Sequence, residues 1–77
     1  MHKLIIMRTS AGEKLAIVEA EDDFSVWLRK WRRNSNRWTR LQKVARRNLN
    51  VVDPRPSRQH RLVQAAVRAK AFGEPMP

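Results

Sequence analysis

Residues 24–52 hold nine lysines and arginines and not one carboxylate. Whatever structure this stretch adopts must turn Arg29, Lys30, Arg32, Arg33, Arg37, Arg40, Lys43, Arg46 and Arg47 toward water, because salt bridges within the stretch cannot neutralise them. Their counter-charge is either distant in sequence or carried by another molecule. The apolar residues of the same stretch must then gather on the remaining surface and build a core.

Helical spacing achieves that separation. Phe24, Trp27, Leu28 and Trp31 fall at i, i+3, i+4 and i+7, and Trp38, Leu41, Ala45 and Leu49 resume the stripe beyond Asn34-Ser35-Asn36. At about 100° per residue, Arg29, Arg33, Arg37, Arg40 and Arg47 lie on the opposite face. Asp22 or Asp23 offers an N-cap, and acids at residues 21–23 suit a helix N-terminus. The spacing predicts a Trp-rich helical segment over 23–49, as one bent helix or as two joined by a tight turn. The three tryptophans read as core, with Trp31 the most buried. Trp38, just past the polar joint, is the candidate for an exposed anchor.

Upstream, Leu4-Ile5-Ile6-Met7 and Leu15-Ala16-Ile17-Val18 flank a short turn containing Gly12, which reads as a β-hairpin with Gly12 at positive φ. Both faces of each run are apolar, so the hairpin needs cover, and alone it is unstable in water. A third strand is possible at 49–52, before Asp53-Pro54-Arg55-Pro56 forbids helix and marks a connector. Ser57 then caps a final helix carrying Leu62, Val63, Ala66, Val67, Ala69 and Phe72, stopped by Gly73, with a frayed tail at 74–77. The expected architecture is α+β: one small domain over 1–77, with an N-terminal β-hairpin packed on the Trp-rich helical segment and the C-terminal helix.

Composition narrows the function. The 77 residues include no cysteine, which removes disulfide staples and thiolate chemistry and points to an intracellular, cytoplasmic setting. The longest apolar runs are far short of the roughly 20 residues of a membrane span, so neither a span nor a secretory leader is expected. There is no tyrosine, no glycine-rich phosphate loop and no metal-ligand constellation, so no enzyme, metal or cofactor is expected.

Charge gives the positive indication. Residues 1–23 have a net charge of −2 and the remainder +12, for a total of +10. Such a chain repels itself unless a negative partner neutralises it. Arginine outnumbers lysine 12 to 5, and its planar fork matches phosphate oxygens. The candidate binding residues are Arg29, Lys30, Arg33, Arg37, Arg40, Lys43 and Arg47, with Arg58 and Arg61 beside Ser57 and His60 forming a second anion site at the last helix. No helix-turn-helix, RRM, KH or zinc-finger signature accompanies them.

The leading expectation is a non-enzymatic DNA- or RNA-binding accessory or regulatory protein that grips phosphates through an arginine-rich helix face. The alternative is a small phage-type modulator or inhibitor of transcription or other nucleic-acid machinery, docking its basic face on an acidic protein surface. Membrane-surface binding is weakened because the tryptophans are needed for the core. The oligomeric state is left open by the sequence.

Overall fold

Gly12 sits at φ 106°, a conformation that residues with a Cβ rarely adopt, and it closes the turn between β1 (Lys3–Thr9) and β2 (Gly12–Glu21) in the computed structural model, which describes residues 2–69. Thr9 Oγ1 accepts the Ala11 N–H at 3.1 Å and donates to the Gly12 carbonyl at 2.9 Å. The expected hairpin is present, in unbroken register from Lys3↔Val18 to Thr9↔Gly12. On its other side β2 pairs with β3 (Ser25–Arg32), and Glu19 is an extra residue between the Val18↔Leu28 and Ala20↔Trp27 pairs. A bulge of this kind bends the strand and deepens its twist.

The helical segment expected over 23–49 does not form. The chain instead makes β3, a turn over 33–36, β4 (Arg37–Trp38), an irregular link over 39–41, β5 (Gln42–Ala45) and a 3-10 turn (Arg46–Asn48). Asn36 adopts φ 51°, a left-handed conformation that asparagine tolerates, and it reverses the chain so that β4 and then β5 run back along β3. The misreading has a physical cause: β3 is buried on both faces, with Val26 and Leu28 in one core cluster and Trp31 in the other. A strand of that kind loses its alternation, and its apolar run imitates a helical stripe.

The third strand expected at 49–52 appears as β6 (Val51–Asp53), antiparallel to β1 with Ile6 opposite Asp53 and Met7 opposite Val51. The sheet order is β4-β3-β2-β1-β6, with β5 also on β3. This order forces the sheet to curl. Four strand spacings separate β5 from β6, and the registers of Ala45 with Ser25 and of Val51 with Met7 offset them by seven residues, so on a flat sheet Ala45 and Val51 would lie about 30 Å apart. Six Cα–Cα steps reach at most about 22 Å, and the 3-10 turn shortens that further. The chain bridges the two edges because the sheet wraps toward a barrel.

Curling creates two cores. Ile5, Met7, Ala16, Val18, Val26 and Leu28 fill the concave side, with Val44 and Leu49 packed against them. Ile6, Leu15, Ile17, Trp31 and Trp38 lie on the convex side, covered by Val63 and Ala66 of α1 (Arg61–Arg68). The rings of Trp31 and Trp38 meet edge to face at 5.3 Å. The architecture is thus a small domain of mostly antiparallel sheet with one α-helix among the described residues.

Ser57 does not cap that helix. Its Oγ accepts the Gln59 N–H at 3.2 Å in a preceding turn, and His60 Nδ1 accepts the Leu62 N–H at 3.1 Å, so the N-cap is His60. The expected contribution of Phe72, the stop at Gly73 and the tail at 74–77 lie outside the described residues. No helix among the described residues is long and apolar enough to cross a membrane.

Candidate functional site

Four of the five carboxylates in residues 1–23, all but Asp23, are spent on particular cations and turns. Glu19, aimed outward by its bulge, accepts from Arg29 Nε at 2.7 Å, and Arg29 Nη1 also donates to the Thr39 carbonyl at 3.3 Å. Only 15% of the Arg29 side chain and 19% of the Glu19 side chain remain exposed, so this arginine is a structural partner rather than a free contact. Glu13 pairs with Arg8 at 3.3 Å and with Arg61 at 3.9 Å. Glu21 pairs with Lys3 at 3.1 Å and Arg46 at 3.6 Å, and the Lys3 hydrogen bond holds its carboxyl below the ordinary value.

Asp22 does different work. Its Oδ1 accepts the N–H groups of Phe24 at 2.8 Å and Ser25 at 2.7 Å, which lowers its pKa, while its carbonyl accepts Nε and Nη2 of Arg46 at 3.1 and 2.8 Å. Two of the nine cations in the acid-free stretch, Arg29 and Arg46, are therefore neutralised by acids distant in sequence. Lys30, Arg32, Arg33, Arg37, Arg40, Lys43 and Arg47 make no salt bridge among the described residues.

Several of these converge at one end of the curled sheet. On β3 the concave-facing row Val26, Leu28 is continued by Lys30 and Arg32, because every second residue of a strand shares a face. Lys14, opposite Met7 across the first hairpin, extends the same face at the rim. A groove of about 340 Å³ is lined there by Lys14, Lys30 and Arg32 with Thr9, Ser10 and Thr39, and a neighbouring depression of about 340 Å³ by Lys14, Arg32, Arg33, Asn34 and Ser35. Among the described residues no carboxylate lines either one. Arg37 stands directly opposite Arg32 in the β3–β4 register, and like charges in that position repel. The fold thus keeps an uncompensated cluster of cations around hydroxyl-bearing turns.

The structure redistributes the candidate residues drawn from helical spacing. Lys30, Arg33 and Arg37 join this basic pole, and Arg29 is withdrawn by Glu19. Arg40 lies in the link between β4 and β5, Lys43 sits over the Trp27 ring at 5.4 Å, and Arg47 lies in the 3-10 turn beyond the other end of β5. Arg58 precedes α1 and Arg61 begins it. At the second anion site expected around Ser57 and His60, Ser57 Oγ takes the Gln59 N–H and His60 Nδ1 the Leu62 N–H. Trp38 is 7% exposed and packs in the convex core, which corrects its expected role as an exposed anchor.

Lys14 and Arg32 belong to the pole but were not singled out from the sequence. A strand reading of 25–32 would have found Arg32 through its alternation with Leu28 and Lys30. Phe24, counted in the helical stripe, is 81% exposed. No protein-family model matches the chain, and no curated protein and no solved structure is similar to it, so the site rests on its own geometry.

Proposed function

We propose that the protein is a non-enzymatic nucleic-acid-binding protein of the cytoplasm, an accessory or regulatory factor that holds backbone phosphates at the pole formed by Lys14, Lys30, Arg32, Arg33 and Arg37. The observation that carries this reading is the groove in which Lys14, Lys30 and Arg32 meet Thr9, Ser10 and Thr39 with no carboxylate among the described residues that line it. Cations supply affinity by releasing counterions from the polymer, and the Ser10 hydroxyl can add a hydrogen bond to a phosphate oxygen. The site has no base-reading element, so sequence preference should be weak.

The test is a fluorescence-anisotropy titration of labelled DNA and RNA at several salt concentrations. If four cations contact phosphates, the logarithm of the affinity for duplex DNA falls with a slope of about −3.6 against the logarithm of salt. Replacing Arg32 and Arg33 together by glutamine should flatten that slope by about 1.8 and weaken unrelated sequences equally. Failure to bind any polymer at low salt overturns the reading and reassigns the pole to an acidic protein surface.

A further inference from the structure

The most exposed large apolar side chain among the described residues sits in the most tightly tied turn. Phe24 is 81% exposed, yet its N–H donates to Asp22 Oδ1 at 2.8 Å and its carbonyl accepts the Arg46 N–H at 2.9 Å. The Ser25 N–H donates to the same Asp22 oxygen at 2.7 Å, the Asp22 N–H to the Ser25 carbonyl at 2.9 Å, and the Arg46 guanidinium clamps the Asp22 carbonyl. The backbone that presents the ring is fixed before any partner arrives, and such preorganisation lowers the entropy cost of binding. An open depression of about 580 Å³ beside the ring is lined by Phe24, Ser25, Ala45, Arg46 and Arg47, with Asp23 as its one acidic residue.

This aromatic stands at the end of a line of cations. Arg37, Arg40 and Lys43 are spread along the β4–β5 edge, Arg37 on the face of Arg32 and Lys43 on the face of Trp27, and Arg47 lies past its end; all four are exposed. The β3 strand beside them gives the length of the path: from Arg32, opposite Arg37, to Ser25, opposite Ala45, is about 23 Å. That is room for the roughly four nucleotides at the lower end of single-strand sites.

Resting on the nucleic-acid reading above, we infer that the occupant is a single strand, RNA or DNA, whose phosphates follow Arg37, Arg40, Lys43 and Arg47 from the pole and whose leading base stacks on Phe24. A cationic track that ends on an aromatic platform is the arrangement that binds single strands without regard to sequence. A duplex fits it poorly. Its base faces are already stacked, and its second phosphate backbone would crowd Asp23, which lines the same depression as Phe24 and Arg47.

The experiment uses the full chain with fluorescein-labelled ten-nucleotide dT and U oligomers and a ten-base-pair duplex at low salt. Wild type should prefer either single strand to the duplex. Phe24→Ala should weaken single-strand binding about tenfold and leave duplex binding unchanged, while Phe24→Trp restores it. Arg40→Gln combined with Arg47→Gln should flatten the single-strand salt slope by about 1.4 and spare the duplex slope. Circular dichroism confirms the fold of each variant. Equal binding of single strand and duplex, or single-strand affinity indifferent to Phe24→Ala, overturns this inference while the phosphate-binding pole stands; loss of binding to both polymers in wild type overturns both.

Discussion

Asp22 shows how one side chain can organise a functional end of the molecule. Its carboxylate accepts two backbone N–H groups, from Phe24 and then Ser25, and this holds its pKa below the ordinary 3.8. Glu21 is likewise held below its ordinary 4.5, first by the Lys3 hydrogen bond. A carboxyl whose pKa is depressed by folding stabilises the fold above its unfolded value, and that contribution is lost as pH falls through the folded value. The urea midpoint of wild type should therefore drop as pH falls below about 4.5 and continue to drop below 3.8. Asp22→Asn keeps an acceptor oxygen but removes the titration, so its midpoint should change less below pH 3.8; parallel curves for the two proteins would contradict the assignment. At this scale Gly12 was legible from the sequence, because a glycine between two apolar runs has one obvious use. Arg29 was not, since its partner Glu19 comes from a bulge that depends on the pairing of β2 with β3.

Among the elements, the first hairpin and β6 could be read from short apolar runs bounded by turn residues, whereas β3 could not. Trp27 and Trp31 lie on one face of β3 and Val26 and Leu28 on the other, so tertiary burial of both faces erased the period that would have marked a strand. The basic pole was hidden by the same error, because helical spacing groups Arg33 with Arg40 while strand alternation groups Lys30 with Arg32. The helix α1 was legible, but its start was displaced from Ser57 to His60 by the turn over 57–60. An imidazole is an uncommon cap, and replacing it tests how much α1 depends on it. His60→Ala should cost about 1 kcal/mol, and His60→Asp, which restores an acceptor and adds a negative charge at the helix start, should raise the melting temperature above that of wild type. Thermal unfolding of the three proteins decides the order.

For the whole molecule, a net charge of +10 on 77 residues opposes compaction wherever it is not answered by a partner. Between 0.01 M and 0.1 M salt the screening length shrinks from about 30 to 10 Å, so the melting temperature of the free protein should rise over the same range in which polymer affinity falls. Replacing Arg32 and Arg33 by glutamine should reduce both trends, because the repulsion opposite Arg37 and the phosphate contacts share those residues. A melting temperature that falls with salt would mean that net attraction, not repulsion, dominates this surface. The pairing of β6 with β1 governs how the molecule comes into being. Ile6 must wait for Asp53, so the first strand made on the ribosome keeps one edge open until most of the chain has been synthesised. The wrapped sheet is therefore a late, non-local event, and refolding should be slow for so short a chain. A nascent chain cut short before Val51 would expose the Ile6 and Arg8 backbone as a template for aggregation, which makes the last strand the step that commits this protein to solubility.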